Sequence, residues 1–129
     1  MQKLKQGFTL VEIMVVVGII ALLVALALPG LLRARISANE SSAQATLKSV
    51  SNALEAYSVN NGNAYPTVAT LLIGPPPYLN KDYFSAPFNG YNFAAVLSST
   101  SYTVTAVPVS PTQGLNSFTI TTGAVLTTN

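Results

Sequence analysis

From Ile13 to Leu32 the chain reads IMVVVGIIALLVALALPGLL, 20 residues without a charge. At about 1.5 Å per residue, a helix of that length crosses a hydrocarbon core of roughly 30 Å. A helix lying on a soluble core needs a polar stripe, and this stretch has none. It is therefore a membrane span or the buried axis of an assembly. Lys3 and Lys5 stand just before it. Cationic flanks stay on the cytoplasmic side, so the chain is expected to sit N-in with the remainder outside. A conventional secretory signal fits poorly, because the run is too long for an h-region and Ala25-Leu26-Ala27, the nearest approach to an A-x-A site, lies inside it. A plain anchor leaves Glu12 unexplained. A carboxylate in a membrane helix costs about 2.5–3.5 kcal/mol on insertion scales and calls for a partner or a function.

Composition narrows the chemistry. At 129 residues there is room for one domain, and only 8% of residues are charged while 50% are hydrophobic. That is too apolar for a disordered tail. His, Cys and Trp are absent. Without Cys there is no disulfide framework, zinc-thiolate site or iron–sulfur cluster. Without His the commonest general base and metal ligand is missing. The acids are Glu12, Glu40, Glu55 and Asp82; the bases are Lys3, Lys5, Arg33, Arg35, Lys48 and Lys81. Six scattered cations make no nucleic-acid footprint, despite a sequence pI near 9.0. No catalytic residue, metal site or cofactor is expected.

The segment Lys3-Leu4-Lys5-Gln6-Gly7-Phe8-Thr9-Leu10-Val11-Glu12 resembles the class III signal of type IV pilins and type II secretion pseudopilins. A short basic leader, a Gly, and Phe-Thr-Leu-x-Glu opening an apolar helix coincide here. The resemblance covers the helix to about Tyr57. It implies that a prepilin peptidase cuts between Gly7 and Phe8, and that Phe8 becomes an N-methylated N-terminus. It also implies that Glu12 pairs with the Phe8 amine of a neighbouring subunit during assembly. The physics agrees, because a lone carboxylate in an apolar bundle is penalised until a cation meets it at the right height. Removing residues 1–7 removes Lys3 and Lys5, which leaves four bases against four acids. The basic pI is thus a property of the leader.

Gly18 and Pro29-Gly30 interrupt the apolar run, and Pro29 is expected to kink the helix. The resemblance marks such a proline as a segment that stretches or melts on assembly. Beyond Arg35, Ile36, Ala43, Leu47, Val50, Leu54 and Tyr57 fall on one stripe at three- and four-residue steps, with charged Glu40 holding the rhythm. Ser37, Gln44, Lys48, Ser51 and Glu55 fall largely off it. This is an amphipathic helix that needs cover from the C-terminal part. Asn60-Asn61-Gly62-Asn63 ends it.

Residues 61–90 read as an irregular connection holding Pro66, Pro75-Pro76-Pro77 and Pro87, with a short helical turn over 68–73. Tyr65, Tyr78, Tyr83, Phe84, Phe88, Tyr91 and Phe93 are expected to anchor it to helix and sheet. Strands are expected at 91–97, 101–107, 117–121 and 123–127, with Tyr102, Val104 and Ala106 on one face and Phe118 and Ile120 inward. Ser and Thr fill 14 of the positions 98–129, which keeps an outer face soluble without charge and leaves O-glycosylation open. Asn39-Glu40-Ser41 matches an N-glycosylation sequon but sits in the helix, so it is discounted.

The expected fold is α+β: a long N-terminal α-helix, apolar then amphipathic, packed on a small C-terminal antiparallel sheet, as in pilins. The organisation is a leader at 1–7, a transmembrane or filament-core helix at 8–32, an amphipathic helix at 33–60, an αβ-loop at 61–90 and a sheet at 91–129. The resemblance implies a structural subunit of an extracellular type IV pilus filament, a helical homopolymer serving adhesion, motility or surface interaction. Its implied partners are further copies of itself, the prepilin peptidase and an inner-membrane assembly platform. Its implied location is the bacterial inner membrane as a single N-in pass, then the extracellular filament. The alternatives are a major pseudopilin of type II secretion or a minor pilin. Pseudopilins carry an acid- and Trp-containing loop near a calcium site. Here Ser85-Ala86-Pro87-Phe88-Asn89-Gly90-Tyr91 lacks the acid, and Asp82 with Asn80 is a thin oxygen cage.

Overall fold

The computed structural model describes residues 7–129, so Lys3 and Lys5 lie outside the described residues. The order of elements is α1 (Leu10–Asn60), a 3₁₀ turn (Ala69–Leu72), then β1 (Tyr91–Leu97), β2 (Tyr102–Pro108), β3 (Phe118–Thr121) and β4 (Val125–Thr128). The fold class is α+β and pilin-like. The chain divides into two compact units with the boundary between Ala34 and Arg35.

Among its described residues, the first unit has no core of its own. Residues 7–34 are exposed throughout in the single chain, including Leu10 at 76%, Leu26 at 70% and Leu31 at 68%. A helix apolar on all sides is stable only when lipid or protein surrounds it. Gly18, Pro29 and Gly30 all lie within α1, with Pro29 inside the helix.

The second unit is built on the stripe. Ala43, Leu47, Val50, Ala53 and Leu54 of α1 are buried against the sheet. Ile36, at the start of the stripe, and Tyr57, at its end, are only half-buried. Ser51 departs from its expected off-stripe position: it is fully buried. The buried face is wider than the apolar residues alone suggest, and Thr46, Ser51 and Ser58 line it. The hydroxyl of Ser51 is tolerated there because Tyr102 meets it, as described below.

The four strands form one antiparallel sheet in sequence order. Short connections make this order the cheapest to close. Tyr91 and Phe93, Tyr102, Val104 and Ala106, and Phe118 and Ile120 are the buried residues of their strands. Register places Phe93 opposite Ala106, and Ala106 opposite Phe118, so large and small side chains alternate across the core. β1, apolar but for Asn92, still alternates, and Val96 stands 76% exposed. The outer face carries cross-strand threonine pairs: Thr103 opposite Thr121, and Thr119 opposite both Thr105 and Thr127.

The connection is fastened at discrete points. Leu72 is fully buried, and its carbonyl accepts the N–H groups of Tyr78 and Leu79 at 2.9 and 2.8 Å. This folds the proline run back onto the core. Tyr57 and Tyr78 meet edge-on at 5.4 Å, and Tyr83 meets Phe88 edge-on at 5.2 Å. Tyr65, Tyr78, Tyr83, Phe84 and Phe88 are half-buried against the core, which is the anchoring role expected of them.

Candidate functional site

The N-terminal segment is a capped helix start. Gly7 and Phe8 precede the helix, and Phe8 is 86% exposed. Thr9 stands at the N-cap. Its N–H and hydroxyl both donate to Glu12 Oε2, at 2.7 and 2.8 Å, and the Glu12 N–H donates back to Thr9 Oγ1 at 3.2 Å. This reciprocal pattern is a capping box, which satisfies two of the orphan N–H groups of a helix start. The Thr-x-x-Glu spacing carries that signal in the sequence. Glu12 therefore has an intramolecular partner within a single chain. Both bonds to the carboxylate use Oε2, so Oε1 accepts no hydrogen bond among the described residues.

A second polar group gathers where α1 meets the β2–β3 loop. Glu40 Oε1 accepts the backbone N–H groups of Leu115 and Asn116 at 3.0 and 3.1 Å, and the Asn116 side-chain amide at 3.1 Å. Asn39 Nδ2 donates to the carbonyl and side-chain oxygen of Gln113 at 2.8 and 3.0 Å. Asn89 Nδ2 donates to Ser42 Oγ at 2.7 Å. Glu40 thus interrupts the apolar stripe because it holds a loop. The amide of Asn39 is occupied, which removes the sequon side chain from the free surface. Two loops are clamped to the same helical turn, and sequence spacing gave no sign of it because the partners are more than 70 residues apart along the chain in the case of Glu40.

A third group links helix, connection and sheet. The Ser51 and Tyr102 hydroxyls lie 2.8 Å apart. The Tyr102 hydroxyl donates to Glu55 Oε1 at 3.0 Å, and the Tyr65 hydroxyl lies 3.1 Å from Glu55 Oε2. The two rings meet edge-on at 5.0 Å. Burial raises Tyr102 above the ordinary phenol value, and the Glu55 carboxylate adds to this. Burial likewise raises Tyr65, with Glu55 again contributing. Tyr91 is raised by burial and by the charge of Glu40.

Asp82 closes a local turn. Its Oδ1 accepts the Phe84 N–H at 2.8 Å, and this bond holds the carboxyl below its ordinary value. Lys81 lies over the Phe88 ring at 4.1 Å. Asn80 accepts the Tyr83 hydroxyl at 3.4 Å. The acids of the second unit thus bind N–H and O–H donors of their own chain.

Comparison with known proteins bears on the first of these sites. Residues 2–28 match the family model described as the prokaryotic N-terminal methylation motif. The chain is 33% identical to the type IV wide pilus major component PilA4 of Thermus thermophilus over 80% of this chain and 82% of that protein. It is 41% identical to the type II secretion system core protein G of Aeromonas hydrophila over 52% of this chain, and the match spans 47% of that protein. It is 40% identical to the Escherichia coli protein of the same name over 49% of this chain and 43% of that protein. No solved structure matches the chain.

Proposed function

Because the chain belongs to the type IV pilin and pseudopilin family, we propose that it is the structural subunit of an extracellular type IV pilus filament. The observation that carries this reading is the similarity to a pilus component over most of both chains. In this reading the prepilin peptidase cuts between Gly7 and Phe8, and Phe8 is N-methylated. The span up to Leu32 holds the subunit in the inner membrane with its N-terminus inside. An assembly platform then draws subunits into a helical homopolymer that serves adhesion, motility or surface contact.

The exposed first unit supports the assembly step. Its apolar surface is covered by lipid before assembly and by neighbouring helices afterwards. Since lipid and helix are equally apolar, burial alone sets no register. Glu12 supplies it: among the described residues Oε1 accepts no hydrogen bond while Oε2 is held by Thr9, so an incoming Phe8 amine pairs with a carboxylate already fixed on the helix start. Gly18, Pro29 and Gly30 supply a weakened stretch of α1 where the helix yields on entry to the filament.

The similarities to secretion protein G favour a second reading, a pseudopilin of a secretion filament. One experiment separates them: the intact mass of the chain in material sheared from the cell surface, beside washed membranes. A chain starting at methylated Phe8 and abundant in sheared fibres is the expected result. The same processed chain confined to membranes refutes the pilus reading, and an uncleaved chain starting at Met1 refutes both.

A further inference from the structure

We propose that the Asn61–Gly62 step is a self-modification site, at which the chain converts its own helix-end asparagine to aspartate or isoaspartate, while the fold holds the other Asn–Gly step, Asn89–Gly90, unreactive. The proposal stands apart from the filament reading. In the reaction the glycine backbone nitrogen attacks the asparagine Cγ. A new C–N bond forms, and the side-chain nitrogen leaves as ammonia, taking up the proton that the peptide N–H gives up. Water then opens the five-membered imide at one of its two carbonyls. A following glycine favours the step because it presents no Cβ to the closing ring. The chain contains two such steps.

The two steps differ in how much structure must break for the ring to close. Asn89 and Gly90 have φ of 47° and 79°, and Phe88 and Tyr91 exchange two backbone bonds across them at 2.8 and 3.0 Å. This is the mirror-image hairpin turn that Asn-Gly favours. The Gly90 carbonyl accepts the Val109 N–H at 2.9 Å. A Cβ at Gly90 would meet the side chains of Gln113 and Asn39 at 2.7 to 3.1 Å, so the step is closely packed, and the Asn89 amide is held by Ser42. Moving the Gly90 nitrogen onto Asn89 Cγ breaks this turn and disturbs the clamp at Asn39 and Ser42.

Asn61 and Gly62 are exposed. A Cβ at Gly62 would meet nothing within 4 Å, and the Gly62 N–H makes no backbone hydrogen bond among the described residues. The turn is closed around the step by Asn63 N–H to the Ser58 carbonyl at 2.9 Å, a bond at a helix end, where opening is cheapest. The remaining restraints are equally local: the Asn61 N–H donates to the Ser58 carbonyl at 3.1 Å, the Asn61 carbonyl accepts the Ala64 N–H at 3.4 Å, and the Asn61 side-chain amide donates to the Tyr57 carbonyl at 2.8 Å. Reaction replaces that donor by a carboxylate facing a carbonyl, at the negative end of the helix dipole, in a last turn without a basic residue. The product therefore loosens the helix end, and in a mature chain of balanced side-chain charge it adds one negative charge.

The test follows both steps in the full chain in detergent micelles, held in mildly alkaline buffer, natively folded and in denaturant. Trypsin cuts after Lys48 and Lys81, so the two steps fall in separate peptides that mass spectrometry and isoaspartate labelling resolve. In denaturant the two steps should react at similar rates. In the folded chain Asn61 should react at least about tenfold faster than Asn89, the protection expected when ring closure requires local opening. Asn61→Gln should abolish the fast signal and leave the Asn89 peptide unchanged. Equal rates in the folded chain, or an Asn61 as slow as Asn89, would overturn the proposal.

Discussion

Replacing Tyr102 by Phe tests the buried polar link between helix and sheet. The change keeps the ring and its edge-on contact with Tyr65 and removes one oxygen. Ser51, fully buried, then loses the hydroxyl 2.8 Å away, while Glu55 keeps Tyr65. A buried donor left without a partner costs about 1–3 kcal/mol. With the lost bond to the carboxylate, about 2 kcal/mol is expected for Tyr102→Phe, since Glu55 is half-exposed and part of that bond is screened. For a unit the size of Arg35–Asn129 that corresponds to a fall in Tm of roughly 8–16 °C. The assay is thermal unfolding of the full chain in detergent, followed by tyrosine near-UV circular dichroism. A cycle with Ser51→Ala isolates the coupling: in that background Tyr102→Phe should cost about 1 kcal/mol less. If Ser51 simply turns to the Leu47 carbonyl one turn back, Tm moves by less than about 4 °C and the two changes add within about 0.5 kcal/mol. Either result refutes the reasoning.

Three further outcomes are expected. Gly114→Ala drives a Cβ into the hydroxyl and ring of buried Tyr91 and breaks its 2.9 Å bond to the Asn116 carbonyl, so denaturant titration should show a loss of about 2–3 kcal/mol. Glu40→Ala frees the Leu115 and Asn116 amides, so their hydrogen exchange should accelerate well beyond that of the strands, with a stability loss of about 1–2 kcal/mol. Tyr65, Tyr91 and Tyr102 are all raised in the folded chain, so the unfolded chain ionises first. Their contribution is complete below about pH 10 and is lost as pH rises through and above it, which urea melts in alkaline buffers should show.

The class of the molecule was legible without any tertiary contact. Twenty uncharged residues from Ile13 to Leu32 admit only surroundings as apolar as themselves, and hydropathy needs no tertiary information to say so. The stripe from Ala43 to Leu54 and the alternation in β2 and β3 fixed which faces meet, because side-chain direction follows the 3.6 and 2.0 periods of the backbone. The Thr9–Glu12 cap was equally local and equally legible. Other features depended on contacts between distant residues. Ser51 is polar and off the apolar stripe, yet it is buried because Tyr102 arrives from β2 to meet it. Glu40 looks like a defect in the stripe until the β2–β3 loop brings the amides of Leu115 and Asn116 to it. The two Asn-Gly steps are identical as dipeptides. Only the fold makes one a locked hairpin turn and the other an open helix end, because hydrogen bonds between remote segments decide what each must break in order to move.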